Sequence, residues 1–255
     1  MQPPAPDFGL VAGRYDELRP VDEQWQELFE LLVREGGLVA RRVLDIGCGT
    51  GALAAALAAK GARVWGVDAE PAMLEVARAR VTTGVGLKEA RAEALPFKDG
   101  WFDRAVMRLS LHLFDGPAAI AEARRVLGTE GRLAIATFDP AHFTGFWLNA
   151  IYPRIAEIDG ARFPTLAQIE AAAAAAGFSA VRASRLSQRR PLARAAALER
   201  IRGRYISRLQ LLDPQEYAEG LARAERELPE RIEVRLEWLI VVAEAGDTAD
   251  VGSTG

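Results

Sequence analysis

Three glycines and two acids, set at the ends of two apolar runs, are the residues of this chain best suited to hold a small ligand. Gly47, Gly49 and Gly51 follow Val43, Leu44 and Ile46 and open directly into the alanine-rich stretch 52–60. Glycine there lets the chain turn sharply and lets a ligand touch bare backbone. A helix that starts at once presents unpaired N–H groups to that ligand. The loop alone admits a dinucleotide, since Gly47, Gly49 and Ala52 satisfy the glycine fingerprint in its alanine form. The acids separate the readings. Asp45 lies two residues ahead of the first glycine, where a carboxylate repels pyrophosphate and suits an amine-bearing or cationic ligand. Asp68 closes the run VWGVD, 17 residues past Gly51, where an acid at the end of a second strand accepts from ribose hydroxyls.

Other groups sit where parallel sheets bind ligands. His112 follows a fourth apolar run and His142 a fifth; each is a candidate proton acceptor, with cavity wall or structural hydrogen bonding as the alternative. Cys48 has no histidine beside it and reads as a small filler rather than a nucleophile. Phe143, Trp147 and Tyr152 follow the fifth run and suit either an aromatic substrate wall or simple packing. Between Arg182 and Arg208 nine arginines face one acid, Glu199. They read as a solvated face paired with Glu216, Glu219, Glu225 and Glu227, or as the source of one inward residue, Arg204 for preference, that binds an anionic substrate.

The elements that must position these residues follow from periodicity. Trp25, Leu28, Phe29, Leu32 and Val33 recur at helical spacing. Short apolar runs alternating with helical segments from 41 to 138 predict a parallel sheet with crossover helices. QIEAAAAAAGF predicts a helix ended by a left-handed Gly177, with a strand following at 178–184. Pro214 opens a helix to about Leu228, and IEVRLEWLIVVA reads as a last, antiparallel strand. The division expected is a cap and helix at 1–40, a nucleotide-type core at 41–138, a lid with C-terminal strands at 139–245, and a disordered tail at 246–255. Residues 188–230 are the expected lid insertion.

Composition narrows the class. The 255 residues are 50% hydrophobic and 26% charged, enough for one large domain or two small ones. Lys+Arg 32 against Asp+Glu 35 leaves −3, which argues against a chain built mainly to hold nucleic acid or anionic membrane. One cysteine cannot form an intrachain disulfide, and with two histidines it excludes Cys/His zinc sites, so no metal is expected and a reducing cytoplasm is the expected compartment. MQPPAPDFGL lacks the pattern of a signal peptide, and no apolar run approaches the roughly 20 residues that span a bilayer.

VLDIGCGTG followed by VDAEPAML resembles the class I S-adenosylmethionine-dependent methyltransferases of the type 11 group. AEALPFKDGWFD, LSLH and RVLGTEGRL continue the resemblance, and GRYDELRP resembles that family's N-terminal cap. The resemblance covers about residues 12–138. It implies a Rossmann-like α/β fold: seven strands, mostly parallel, helices on both faces, the last strand antiparallel and a small helical lid inserted. It also implies S-adenosyl-L-methionine as cofactor, S-adenosyl-L-homocysteine as product, and in-line transfer of the methyl group to a small-molecule acceptor. Asp45 and the Gly47 backbone would then hold the cofactor's amino group, with Gly49 and Gly51 giving close approach. Asp68 would grip the ribose beside Ala69, and Met73 would pack on the adenine. Ala92 with Glu93 would read the adenine edge, Arg108 or Leu109 would reach the methionine end, and Tyr15 and Arg19 would cap its carboxylate. Arg91 departs from the pattern where an acid is often found, because arginine cannot accept a hydrogen bond from the adenine amino group.

The alternatives are a non-catalytic binder of the same cofactor, an NAD(P)-dependent oxidoreductase and an RNA methyltransferase. Against the oxidoreductase, no Tyr-x-x-x-Lys pair exists: the positions four beyond Tyr15, Tyr152, Tyr205 and Tyr217 are Arg19, Ala156, Leu209 and Leu221. A monomer or homodimer is expected.

Overall fold

The computed structural model describes residues 7–246 except Thr82 and Tyr205, so all but the first residue of the expected tail lies outside the described residues. Seven strands form one sheet: β1 (Arg42–Ile46), β2 (Arg63–Asp68), β3 (Val85–Glu89), β4 (Phe102–Arg108), β5 (Leu127–Phe138), β6 (Ala180–Ala193) and β7 (Arg231–Glu244), in the order β3-β2-β1-β4-β5-β7-β6. Strands β1 to β5 pair in parallel, and β7 runs antiparallel to both β5 and β6. The order reverses between β1 and β4, the switch point at which open α/β sheets leave a crevice outside their carboxyl ends.

Nine α-helices occur among the described residues: α1 (Tyr15–Leu18), α2 (Glu23–Gly36), α3 (Ala52–Ala59), α4 (Pro71–Arg80), α5 (Gly116–Val126), α6 (Ile155–Arg162), α7 (Leu166–Ala175), α8 (Arg194–Arg202) and α9 (Pro214–Glu227). Their placement follows from where the apolar residues fall. Leu28 and Leu32 of α2, with Leu53 and Leu57 of α3, pack on one face of the sheet. Ile120 and Ala123 of α5, with Ile169 and Ala173 of α7, pack on the other. A third cluster joins Leu148, Tyr152 and Ile155 to Leu198 and Ile201 of α8, Leu209, Ala224 of α9, and Ile232 and Val234 of β7.

The length of the last two strands differs from the sequence expectation. Residues 188–193, read as part of the insertion, instead continue β6, and only α8 and α9 with their connections lie between β6 and β7. Phe138, the last residue of β5, pairs with Trp238. Residues 231–237 of β7 therefore pair with β6 alone and carry the ribbon past the carboxyl end of β5, the side on which ligands bind. Gln188 and Arg190 point to the half-buried side of that ribbon, so its alternation is hidden in the sequence by polar residues facing inward.

Candidate cofactor and acceptor cavity

A cavity of about 440 Å³ opens at the carboxyl ends of β1, β2 and β4 and runs beneath α1, α6 and the β6–β7 ribbon. At one end, β1 delivers Asp45 and the glycine loop. Asp45 is 1% exposed, and its Oδ2 has no hydrogen-bond partner. Burial, reinforced by the charge of Asp68, pushes its carboxyl up to about 7. A buried carboxylate oxygen without a donor is costly, and an ammonium ligand would supply the missing donor.

The three glycines do different work. At Gly47, with φ +73°, a Cβ would lie 2.5 Å from the Ser110 Cβ and 2.9 Å from the Phe114 ring, so glycine lets the loop press on the end of β4. At Gly49, with φ +53°, a Cβ would meet nothing within 4 Å; this residue offers bare backbone to the cavity. At Gly51, with φ +75°, a Cβ would lie 3.1 Å from the Ala77 Cβ; it lets α3 approach α4 and does not line the cavity. Asp68 ties the loop down by accepting from Gly49 N at 2.8 Å and Glu70 N at 3.0 Å. Burial raises its pKa against those bonds.

The N-terminal segment closes this end. Asp16 of α1 accepts from Thr50 Oγ1 at 2.8 Å and pairs with Arg80 of α4, joining the cap to the glycine loop. Arg19 donates to the Tyr15 hydroxyl at 3.1 Å, and both line the cavity. Ala69, Met73 and Ala92 form the adjoining wall. Glu93 also lines it; its carboxylate accepts from Asp115 N at 2.9 Å and lies 3.4 Å from Arg91.

Arg108, at the end of β4, lies over the rings of Trp25 and Trp238, 5.5 and 5.9 Å from their centroids. Burial lowers its pKa to about 10. Leu109 follows with φ +51°, held by its N–H donating to Ala136 O at 2.8 Å. His112 lines the far half and stacks on Phe163 at 3.9 Å. Burial, then the charges of Arg162, Arg19 and Arg208, hold its pKa well below 6.5, so the imidazole is neutral and its protonated form is disfavoured.

Several residues singled out in the sequence lie elsewhere. His142 stacks on Phe138 at 4.4 Å, and its Nδ1 accepts from Glu237 N at 3.4 Å. It serves the junction of β5 with the ribbon and does not line the cavity. Phe143 is fully buried in the core, and Tyr152 is buried under α9 with its hydroxyl donating to Tyr217 O at 3.2 Å. Trp147 packs on the third cluster. Arg204 lies on the Tyr217 ring, 4.0 Å from its centroid, and is also absent from the lining. The aromatic wall instead includes Phe146, Phe163, Trp25 and Trp238, and Arg19, Arg190, Arg200 and Arg208 line the cavity besides Arg91 and Arg108. Asp159 of α6, 1% exposed, also faces in. An acid one turn past Ile155, on the buried side of a helix, is the signal that could have exposed it.

Residues 44–135 match the family description "Methyltransferase domain". The malonyl-[acyl-carrier protein] O-methyltransferase of Geobacter sulfurreducens is 36% identical over 186 residues, 68% of this chain and 69% of that protein. The chain belongs to the class I S-adenosylmethionine-dependent methyltransferases, type 11 group. A demethylmenaquinone methyltransferase of Thermus thermophilus is 39% identical over 145 residues, 52% of this chain and 64% of that one. The chain spans about half to two thirds of the length of the first curated methyltransferases it matches. A candidate methyltransferase from an antibiotic biosynthesis pathway of Anabaena variabilis superposes with a TM-score of 0.70 at 22% identity, over 86% of this chain and 96% of that structure, which shows the fold. The residues fit this family's cofactor: its amino group answers the partnerless Asp45 oxygen, and Gly49 leaves the space to approach the backbone. No group of three His, Cys, Asp or Glu suited to a metal occurs among the described residues, and no helix there is long and apolar enough to cross a membrane.

Proposed function

We propose that the chain transfers a methyl group from S-adenosyl-L-methionine to a small-molecule acceptor bound in the far half of the cavity. The observation that carries this reading is Asp45: a buried carboxylate with an empty hydrogen-bonding position, at the mouth of a glycine loop, in a fold of this family. When bound, the cofactor supplies an activated methyl on a sulfonium, so the protein's part is alignment and exclusion of water. Asp45 and the Gly47 backbone bind the amino group, and Tyr15 and Arg19 bind the carboxylate. Asp68 orients the ribose; Ala69, Met73, Ala92 and Glu93 enclose the adenine. Arg108 and Leu109 bound the methionine end, with Arg108 held between Trp25 and Trp238. His112 lines the acceptor half and is the group placed to take the proton that leaves the acceptor's nucleophile. The α1 cap, joined to the loop through Asp16, Thr50 and Arg80, excludes water.

Thermal denaturation tests the reading. S-adenosyl-L-homocysteine at about 100 times its Kd should raise the midpoint by roughly 5–10 °C, and NAD should leave it unchanged. Stabilisation by NAD alone would replace this reading with an oxidoreductase.

A further inference from the structure

We propose that Arg108 is a receptor for the carboxylate of the cofactor's methionine and forms with Asp45 a two-point reader of an α-amino acid head group; that the ligand is this cofactor rests on the reading above. Arg108 lines the cavity from the end of β4. Its partners are two rings, Trp25 of α2 and Trp238 of β7, with centroids 5.5 and 5.9 Å from its Cζ. None of its five N–H donors meets a hydrogen-bond acceptor among the described residues, and no ion pair reaches it there. A guanidinium withdrawn from water without an acceptor is costly. Neighbouring groups whose charge bears on it are committed elsewhere: Asp22 accepts from Trp25 N at 3.0 Å and pairs with Arg190, and the Tyr15 hydroxyl accepts from Arg19 at 3.1 Å.

Asp45 shows the complementary gap. Its Oδ2 lacks a donor, it lines the same cavity, and its charge and that of Arg108 act on each other without an ion pair joining them. An α-amino acid carries an ammonium and a carboxylate on one carbon, so a single ligand group fills both positions. A ligand with either charge alone leaves one of the two unanswered. The guanidinium fork matches the two oxygens of a carboxylate. Its position is fixed in advance: Trp238 Nε1 donates to Gln188 Oε1 at 2.8 Å, and Gln188 Nε2 donates to Gln24 O at 2.9 Å and to Glu27 at 2.7 Å. Gln188, 4% exposed, is therefore a positioning residue that anchors the indole on which Arg108 rests. The ribbon over the acceptor half thereby also sets the cofactor's methionine end.

The test is calorimetric titration of the full chain with S-adenosyl-L-homocysteine and, separately, with its decarboxylated analogue, which keeps the amino group. Arg108→Gln should weaken binding of S-adenosyl-L-homocysteine by about tenfold or more and of the analogue by less than about twofold. Arg108→Lys, which keeps the charge and loses the fork, should recover part of that loss. Asp45→Asn should weaken both ligands alike, because both carry the amino group. Gln188→Met should repeat the Arg108 pattern at about threefold; equal losses for the two ligands there would leave Gln188 a structural role and overturn its positioning one. Equal losses for the two ligands in Arg108→Gln, or no loss, overturns the carboxylate assignment, and Arg108→Met, apolar against the two indoles, decides in the same way where Arg108→Gln does not fold. If S-adenosyl-L-homocysteine does not bind the wild type, the methyltransferase reading itself fails and the assignment falls with it.

Discussion

The two ends of the cavity are built on opposite principles. The β1–β2 end is acidic and made largely of backbone: one oxygen of Asp45 has no donor, Asp68 braces the loop, and Gly49 leaves a side-chain position open. The far end is made of side chains from elements distant in sequence: Asp159 of α6, Arg208 of the turn Ser207–Gln210, and Phe146 and Phe163 as walls. Arg108 and His112 stand between them. The difference teaches that a cofactor common to a family can be held by a short local segment, whereas an acceptor is recognised by whatever the lid happens to bring together.

Damage to either end should be separable. Gly47→Ala places a Cβ 2.5 Å from Ser110 and demands a left-handed conformation, and Gly220→Ala drives a Cβ into the buried Tyr152 ring. Each should lower stability by about 2–4 kcal/mol, seen as a fall of roughly 5–10 °C in the midpoint. Only Gly47→Ala should also abolish S-adenosyl-L-homocysteine binding; equal loss in Gly220→Ala would show that the two ends are one unit.

Asp45→Asn sharpens the comparison by splitting binding from stability. The folded carboxyl titrates at about 7 instead of 3.8, so the native state holds a proton that the unfolded chain releases. That contribution is complete below about pH 4 and is lost as pH rises through about 7. The ligand-free variant should therefore gain on the order of 2–4 kcal/mol above pH 7 and nothing near pH 4. Its affinity for S-adenosyl-L-homocysteine should fall by about tenfold or more. Denaturant titrations at both pH values, with calorimetry, check the two signs. The smallest effect belongs to Arg204→Gln, which removes a cation–π contact on Tyr217 and should change stability by about 0.5–1 kcal/mol and cofactor affinity not at all.

How much was legible in the sequence depends on whether a residue's neighbours lie near it in the chain. The strands β1, β2, β4 and β5 show as apolar runs because both faces of a central parallel strand are buried, and the glycine loop with Asp45 and Asp68 is local. The second half of β6 was hidden because its inward residues, Gln188 and Arg190, are polar: one accepts from Trp238 Nε1 at 2.8 Å and the other pairs with Asp22. Gly51 looked like its two neighbours, yet its space is taken by α4. Phe143, Trp147 and Tyr152 were legible as apolar, and only packing told core from wall.

The sequence by itself determined the alternating architecture, the acidic loop and the kind of ligand that it suits, because period, glycine and a nearby acid act over a few residues. Nine arginines between 182 and 208 are equivalent as sequence. Only the tertiary structure decided among them, by turning Arg204 onto Tyr217 and Arg208 toward Asp159. A charge acquires its role from the groups that desolvate and pair it, and those come from α6 and the ribbon, far away in the chain.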